Sequence, residues 1–135
     1  MNDPRLADLI VSAQKLVGVP YHHLGRNPEI SLDCVGLVYA AAKEAGYSVL
    51  GVPNLYSKYP RPEELERQLS LFAKRAAYDD ERAGLVYLLK RRSSLRAAHF
   101  AIRINKQQVI HAVHGVGVCV SDFVPNLVLS RWELI

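Results

Sequence analysis

The sequence predicts an α+β domain: N-terminal helices packed on a C-terminal antiparallel sheet of about five strands. Two observations carry this expectation. Up to residue 77 the apolar residues recur at helical spacing in three segments, and from residue 85 they alternate with period two. The composition fits, since 135 residues that are 50% hydrophobic and 22% charged can bury a core as a single domain spanning 1–135.

The first helix is expected over 4–17. Asp3 caps it, Pro4 suits its first position, and Leu6, Leu9, Ile10, Ala13, Leu16 and Val17 form its apolar stripe. Gly18 and Pro20 end it, and 20–32 reads as a loop, because Pro, Gly and Asn punctuate it. A second helix follows over 34–45, with Val35, Leu37, Val38, Ala41, Ala42 and Ala45 inward and Gly46 as its stop. Residues 46–60 show no sustained period. A third helix over 62–77 starts with Pro62, Glu63 and Glu64, ends near Lys74 and Arg75, and carries Leu65, Leu69, Phe72 and Ala76 as its stripe.

Strands are expected at 85–89, 97–104, 108–113, 116–123 and 128–135. Turns are expected at Asn105-Lys106-Gln107 and at His114-Gly115, and a loop around Pro125. Residues 89–96, with Lys90, Arg91, Arg92 and Arg96, read as a charged exposed loop. A solvated loop is the plainer reading, and the run could also attract anionic polymers or the carboxylates of a substrate.

The formal net charge is +4, but basic and aromatic residues do not interleave as a stacking groove needs, so nucleic acid is not an expected partner. No stretch approaches the roughly 18 apolar residues of a membrane span. The start, MNDPRLADLIVSAQKLVGVP, has no basic segment followed by an apolar core, so synthesis in the cytoplasm without a signal peptide is expected. Two cysteines make no disulfide framework, and each thiol needs its own explanation.

Cys34 stands where a polar loop becomes a helix. Asp33 or Ser31 can cap that helix, which puts Cys34 in the first turn, where unpaired N–H groups and the helix dipole favour a thiolate. His99 and His111 lie on consecutive expected strands. They share a face if the intervening turn has odd length, three or five residues centred on Asn105 or Lys106, and a two-residue turn would separate them. Cys34, His99 and His111 then supply nucleophile, general base and orienting group. A buried structural cysteine and two structural histidines are the plainer alternative. Zinc held by Cys34, His99, His111 and His114 is a competing chemistry, although the spacing matches no zinc signature. Cys119, between Val118 and Val120, reads as a strand thiol.

With GVPYHHLGR (18–26), DCVGLV (33–38), HFAI (99–102) and VIHA (109–112), the chain resembles the NlpC-type cell-wall peptidases, papain-like cysteine peptidases of bacteria and their phages. YPRPEEL (59–65) and the closing RWELI are most similar to the stand-alone branch found among phage tail genes. The resemblance implies a papain-like fold, with Cys34 as nucleophile, His99 as base, His111 as third polar residue and Tyr21 as an active-site tyrosine. It implies hydrolysis of the D-γ-glutamyl–diaminopimelate bond of peptidoglycan stem peptides, without a cofactor, and phage tail proteins as candidate partners at the cell wall. Asp33 and His23 flank the nucleophile and are candidates for substrate contact; a helix cap and a solvated loop side chain are the plainer readings. The chain departs from the family pattern at Gly84-Leu85, where Gly-Asp is usual, which puts the local turn in question. A tail component that binds without catalysis, or a thiol amidase or acyltransferase on another substrate, would use the same scaffold.

Overall fold

The computed structural model describes residues 4–49, 52, 56–58, 60–91 and 94–135, with side chains of 91 and 94–97 excepted. Asp3, Arg92 and, within 46–60, residues 50, 51, 53–55 and 59 lie outside the described residues. Three helices precede most of the sheet: α1 (Pro4–Lys15), α2 (Cys34–Glu44) and α3 (Pro62–Leu69). The loop between α1 and α2 holds a two-residue ladder of β1 (Arg26–Asn27) and β2 (Ser31–Leu32). The main sheet contains β3 (Ala73–Arg75), β4 (Val86–Arg91), β5 (Ser94–Arg103), β6 (Gln108–Val113), β7 (Gly117–Asp122) and β8 (Val128–Leu134).

Its order is β3-β8-β4-β5-β6-β7, with every described pairing antiparallel. The sheet therefore has six strands rather than about five. β4 to β7 form the expected meander, and β8 returns to the far side of β4, with a 3-10 turn at Pro125–Leu127 preceding it.

Three expectations are corrected. The helix expected to reach residue 77 ends at Leu69, because Ala73–Arg75 pair with Trp132–Leu134 and extend the sheet. Nonlocal pairing outweighs the helical spacing of Phe72 and Ala76. The loop expected at 89–96 is largely strand, since β4 runs to Arg91 and β5 begins at Ser94. Within the loop expected at 20–32, Arg26 pairs with Leu32 and Asn27 with Ser31.

The sheet is covered on both faces. On one, Val86, Leu88, Phe100, Ile102 and Ile110 pack with Val35, Leu37, Val38 and Ala41 of α2 and with Leu9 and Ala13 of α1. On the other, Leu85, Tyr87, Leu89, Ala101 and Val109 form a smaller cluster with Leu6. Gly84-Leu85 fits this second layer. Gly84 has φ +94, and a Cβ there would lie 2.8 Å from Leu6, so the turn needs glycine. Leu85 is fully buried against Leu6, which accounts for an apolar residue where the related pattern carries aspartate.

Candidate active site

Asp33 sets the start of α2. Its backbone is extended (φ −103, ψ −170), and its Oδ1 accepts from the Gly36 N–H at 2.7 Å, an N-cap. Cys34 is consequently the first residue of α2, and it is partly exposed rather than buried. Two glycines lock the loop onto this helix. A Cβ on Gly36 would lie 1.9 Å from the Gly25 carbonyl oxygen, and one on Gly25 would lie 2.7 Å from that of Ser31. The glycine two residues after the cysteine thus admits backbone, which no side chain would allow.

The same loop places Tyr21. Its backbone bridges to Leu32, two residues before Cys34, while the Leu32 N–H donates to the Pro20 carbonyl at 2.9 Å. Its ring meets His114 edge-on at 5.5 Å. The segment before it is tied to β7, with the Val118 N–H donating to the Val19 carbonyl at 2.8 Å. Tyr21 therefore joins the loop before Cys34 to the turn between β6 and β7.

The histidines meet as the odd turn requires. Ile102 pairs with Ile110 and Arg103 with Val109, so the connection is the three-residue turn 105–107 centred on Lys106. His99 and His111 are diagonal neighbours on one face, with His99 Nε2 3.1 Å from His111 Nδ1 and ring centroids 5.3 Å apart. Burial holds the His111 imidazole below the usual histidine pKa, which keeps it neutral near pH 7. Both rings, together with Tyr21, His114, Ser121, Lys58 and Lys90, line a cavity of about 690 Å³. Cys34 opens α2, the helix that packs across β5 and β6.

Asp33 and His23, the two candidates for substrate contact, sit together in the loop before α2. Asp33 is 2% exposed, and its Oδ2 accepts from the Leu24 N–H at 2.8 Å and the Tyr56 hydroxyl at 2.5 Å. Both carboxylate oxygens are thereby committed to holding the loop. Burial, reinforced by Asp33, raises the Tyr56 pKa well above the tyrosine range, so Tyr56 remains a donor. His23 turns toward this cluster, with Nδ1 4.0 Å from Asp33 Oδ2 and its ring edge-on to Tyr56 at 5.7 Å. It is not part of the cavity wall.

Ser121 is the site residue that sequence reasoning missed. Its Oγ lies 2.7 Å from His111 Nε2 and 3.9 Å from Cys119 Sγ. The signal that would have found it is the turn centred on Gly115, since Val113 pairs with Gly117 and His111 with Cys119. Even parity then puts Ser121 on the His111 face. Among the described residues no group of three or more His, Cys, Asp or Glu side chains is placed to hold a metal ion.

No family model matches the chain, and no curated protein matches it. Solved structures do. The NlpC/p60 domain of the peptidoglycan hydrolase SagA superposes with a TM-score of 0.64 at 22% identity, covering 96% of this chain and 98% of that one. The chain has the NlpC/p60 fold. The P60 domain of an antigen from Mycobacterium avium paratuberculosis gives a TM-score of 0.68 at 14% identity, covering 98% of this chain and 93% of that one. An NLP/P60-family protein similar to lipoprotein from Staphylococcus aureus gives 0.68 at 19%; this chain is covered in full but spans only 43% of that protein. RipD from Mycobacterium tuberculosis gives 0.63 at 15%, covering 97% of each chain, and is described as a non-catalytic NlpC/p60 domain adapted to peptidoglycan binding. The papain-like α+β architecture expected from the sequence is thus the observed one.

Proposed function

We propose that this chain is a cysteine peptidase of the NlpC type that hydrolyses amide bonds in peptidoglycan stem peptides through a thioester. The observation that carries the reading is the His99 Nε2–His111 Nδ1 hydrogen bond of 3.1 Å in a cavity shared with Tyr21. Beyond the pair Ile102↔Ile110 no further β5–β6 pairing occurs among the described residues. Through that opening Cys34, at the start of the helix packed across both strands, would meet His99. His99 would take the thiol proton, and the Cys34 sulfur would attack the scissile carbonyl to form a C–S bond. Collapse of the tetrahedral intermediate breaks the C–N bond, and His99 returns the proton to the leaving amine. Water, deprotonated by His99, then hydrolyses the thioester. The developing oxyanion would be stabilised by the positive end of α2, including the Cys34 N–H.

The D-γ-glutamyl–diaminopimelate bond is the proposed target, and a phage tail the proposed setting; both rest on the sequence resemblance. A second reading is binding without hydrolysis, which the RipD description favours for a protein of this fold. Incubation of purified sacculi with wild type and Cys34→Ala separates the two. The peptidase reading expects peptide fragments from wild type alone, with both proteins folded and both retained on sacculi. Equal release from the two proteins, or none from either, would overturn it.

A further inference from the structure

The polar chain does not stop at the two histidines. His99 Nε2 faces His111 Nδ1 at 3.1 Å, and His111 Nε2 faces Ser121 Oγ at 2.7 Å. A neutral imidazole carries one N–H and one lone pair, so each contact fixes the direction of the next. If Ser121 donates to His111 Nε2, the His111 proton sits on Nδ1 and is donated to His99 Nε2. His99 then carries its own proton on Nδ1 and has no lone pair with which to take one from a thiol. If Ser121 accepts, every assignment reverses: His111 is the Nε2–H tautomer, its Nδ1 accepts from His99 Nε2–H, and His99 Nδ1 is basic.

We propose that Ser121 is a positioning residue that accepts the Nε2 proton of His111 and thereby sets His99 in the tautomer whose Nδ1 is the general base. The proposal rests on the cysteine-peptidase reading for its consequence, but the tautomers themselves do not.

One feature favours the accepting direction. Ser121 has an outlet for its own proton, since Cys119 Sγ, a weak acceptor, lies 3.9 Å from Oγ and Ser121 also borders the open cavity. His111 is shielded, and burial disfavours its cation, so the choice lies between the two neutral tautomers. Besides His99 and His111, the charged and titratable groups lining the cavity are Tyr21, Lys58, Lys90, His114 and Asp122. Asp122 points its side chain to the other face from Ser121 by strand alternation, so the hydroxyl, and not a carboxylate, is what His111 Nε2 meets.

The test uses the full chain. Ring-nitrogen NMR near neutral pH should find wild-type His111 as the Nε2–H tautomer. Ser121→Ala should mix its tautomers and slow alkylation of Cys34 by iodoacetamide by up to about tenfold, the size of one neutral hydrogen bond. Ser121→Thr, which keeps the hydroxyl, should restore both. A wild-type His111 protonated on Nδ1, or a Ser121→Ala variant with unchanged tautomers and alkylation, would overturn the proposal. If the tautomers respond as described while wild type cleaves no stem peptide, the relay stands and the peptidase reading falls.

Discussion

Replacing Gly36 by alanine sets two physical effects against each other. Helix propensity favours alanine over glycine by about 1 kcal/mol in a helix interior, and by less in the first turn. Against it, the new Cβ would lie 1.9 Å from the Gly25 carbonyl oxygen. Ordinary contact needs about 3.5 Å, so helix and loop must separate by roughly 1.5 Å. The obstructing atom is backbone, and the loop is pinned by Asp33 and by the Tyr21–Leu32 bridge, so it cannot swing aside cheaply. Overpacking of this kind costs about 1–3 kcal/mol, occasionally more, and we take the upper part of that range. The net expectation is a loss of about 2 kcal/mol, or a Tm lower by roughly 6–10 °C for a chain of this size. Thermal unfolding followed by circular dichroism measures it directly. A Gly36→Ala variant as stable as wild type would mean that the loop does not pack on the helix start as described.

Other expectations follow from the same geometry. Asp33→Asn keeps one oxygen but, with that oxygen capping Gly36, turns an NH2 toward two donors, the Leu24 N–H and the Tyr56 hydroxyl. It should cost about 2 kcal/mol in urea unfolding, and an unchanged midpoint would contradict the assigned role. Because burial lowers the folded-state pKa of His111, its contribution to stability is complete above the unfolded value of about 6.5 and is lost as pH falls through the folded value. Urea midpoints measured from about pH 7.5 to 5 should fall more steeply for wild type than for His111→Gln; parallel curves would count against it. His99→Gln should lower stem-peptide turnover by about 10²–10⁴-fold with little change in stability, and activity within a factor of two would remove His99 as the base.

What the sequence made legible is what depends on local period. The α2 start, the meander from β4 to β7 and the shared face of His99 and His111 follow from alternation, capping residues and turn parity. What it concealed depends on distant pairing. Ala73–Arg75 is strand because β8 lies beside it, and β8 lies there because the chain returns past β4, which no local pattern encodes. Asp33 illustrates a subtler limit. Its cap was readable, but its second oxygen is taken by Tyr56, 23 residues away, and only the folded chain shows that no acceptor remains exposed for a substrate. Ser121 escaped notice because a lone serine carries no motif, and its meaning arises only from its 2.7 Å approach to His111.

The thiol's role at the start of α2 is the central claim, and trapping the acyl intermediate tests it most directly. Wild type mixed with purified stem peptide, quenched in acid before one turnover and digested for mass spectrometry, should carry the acyl half of the peptide on Cys34. Turnover without that adduct, or an acyl group found on Ser121 instead, would contradict the account.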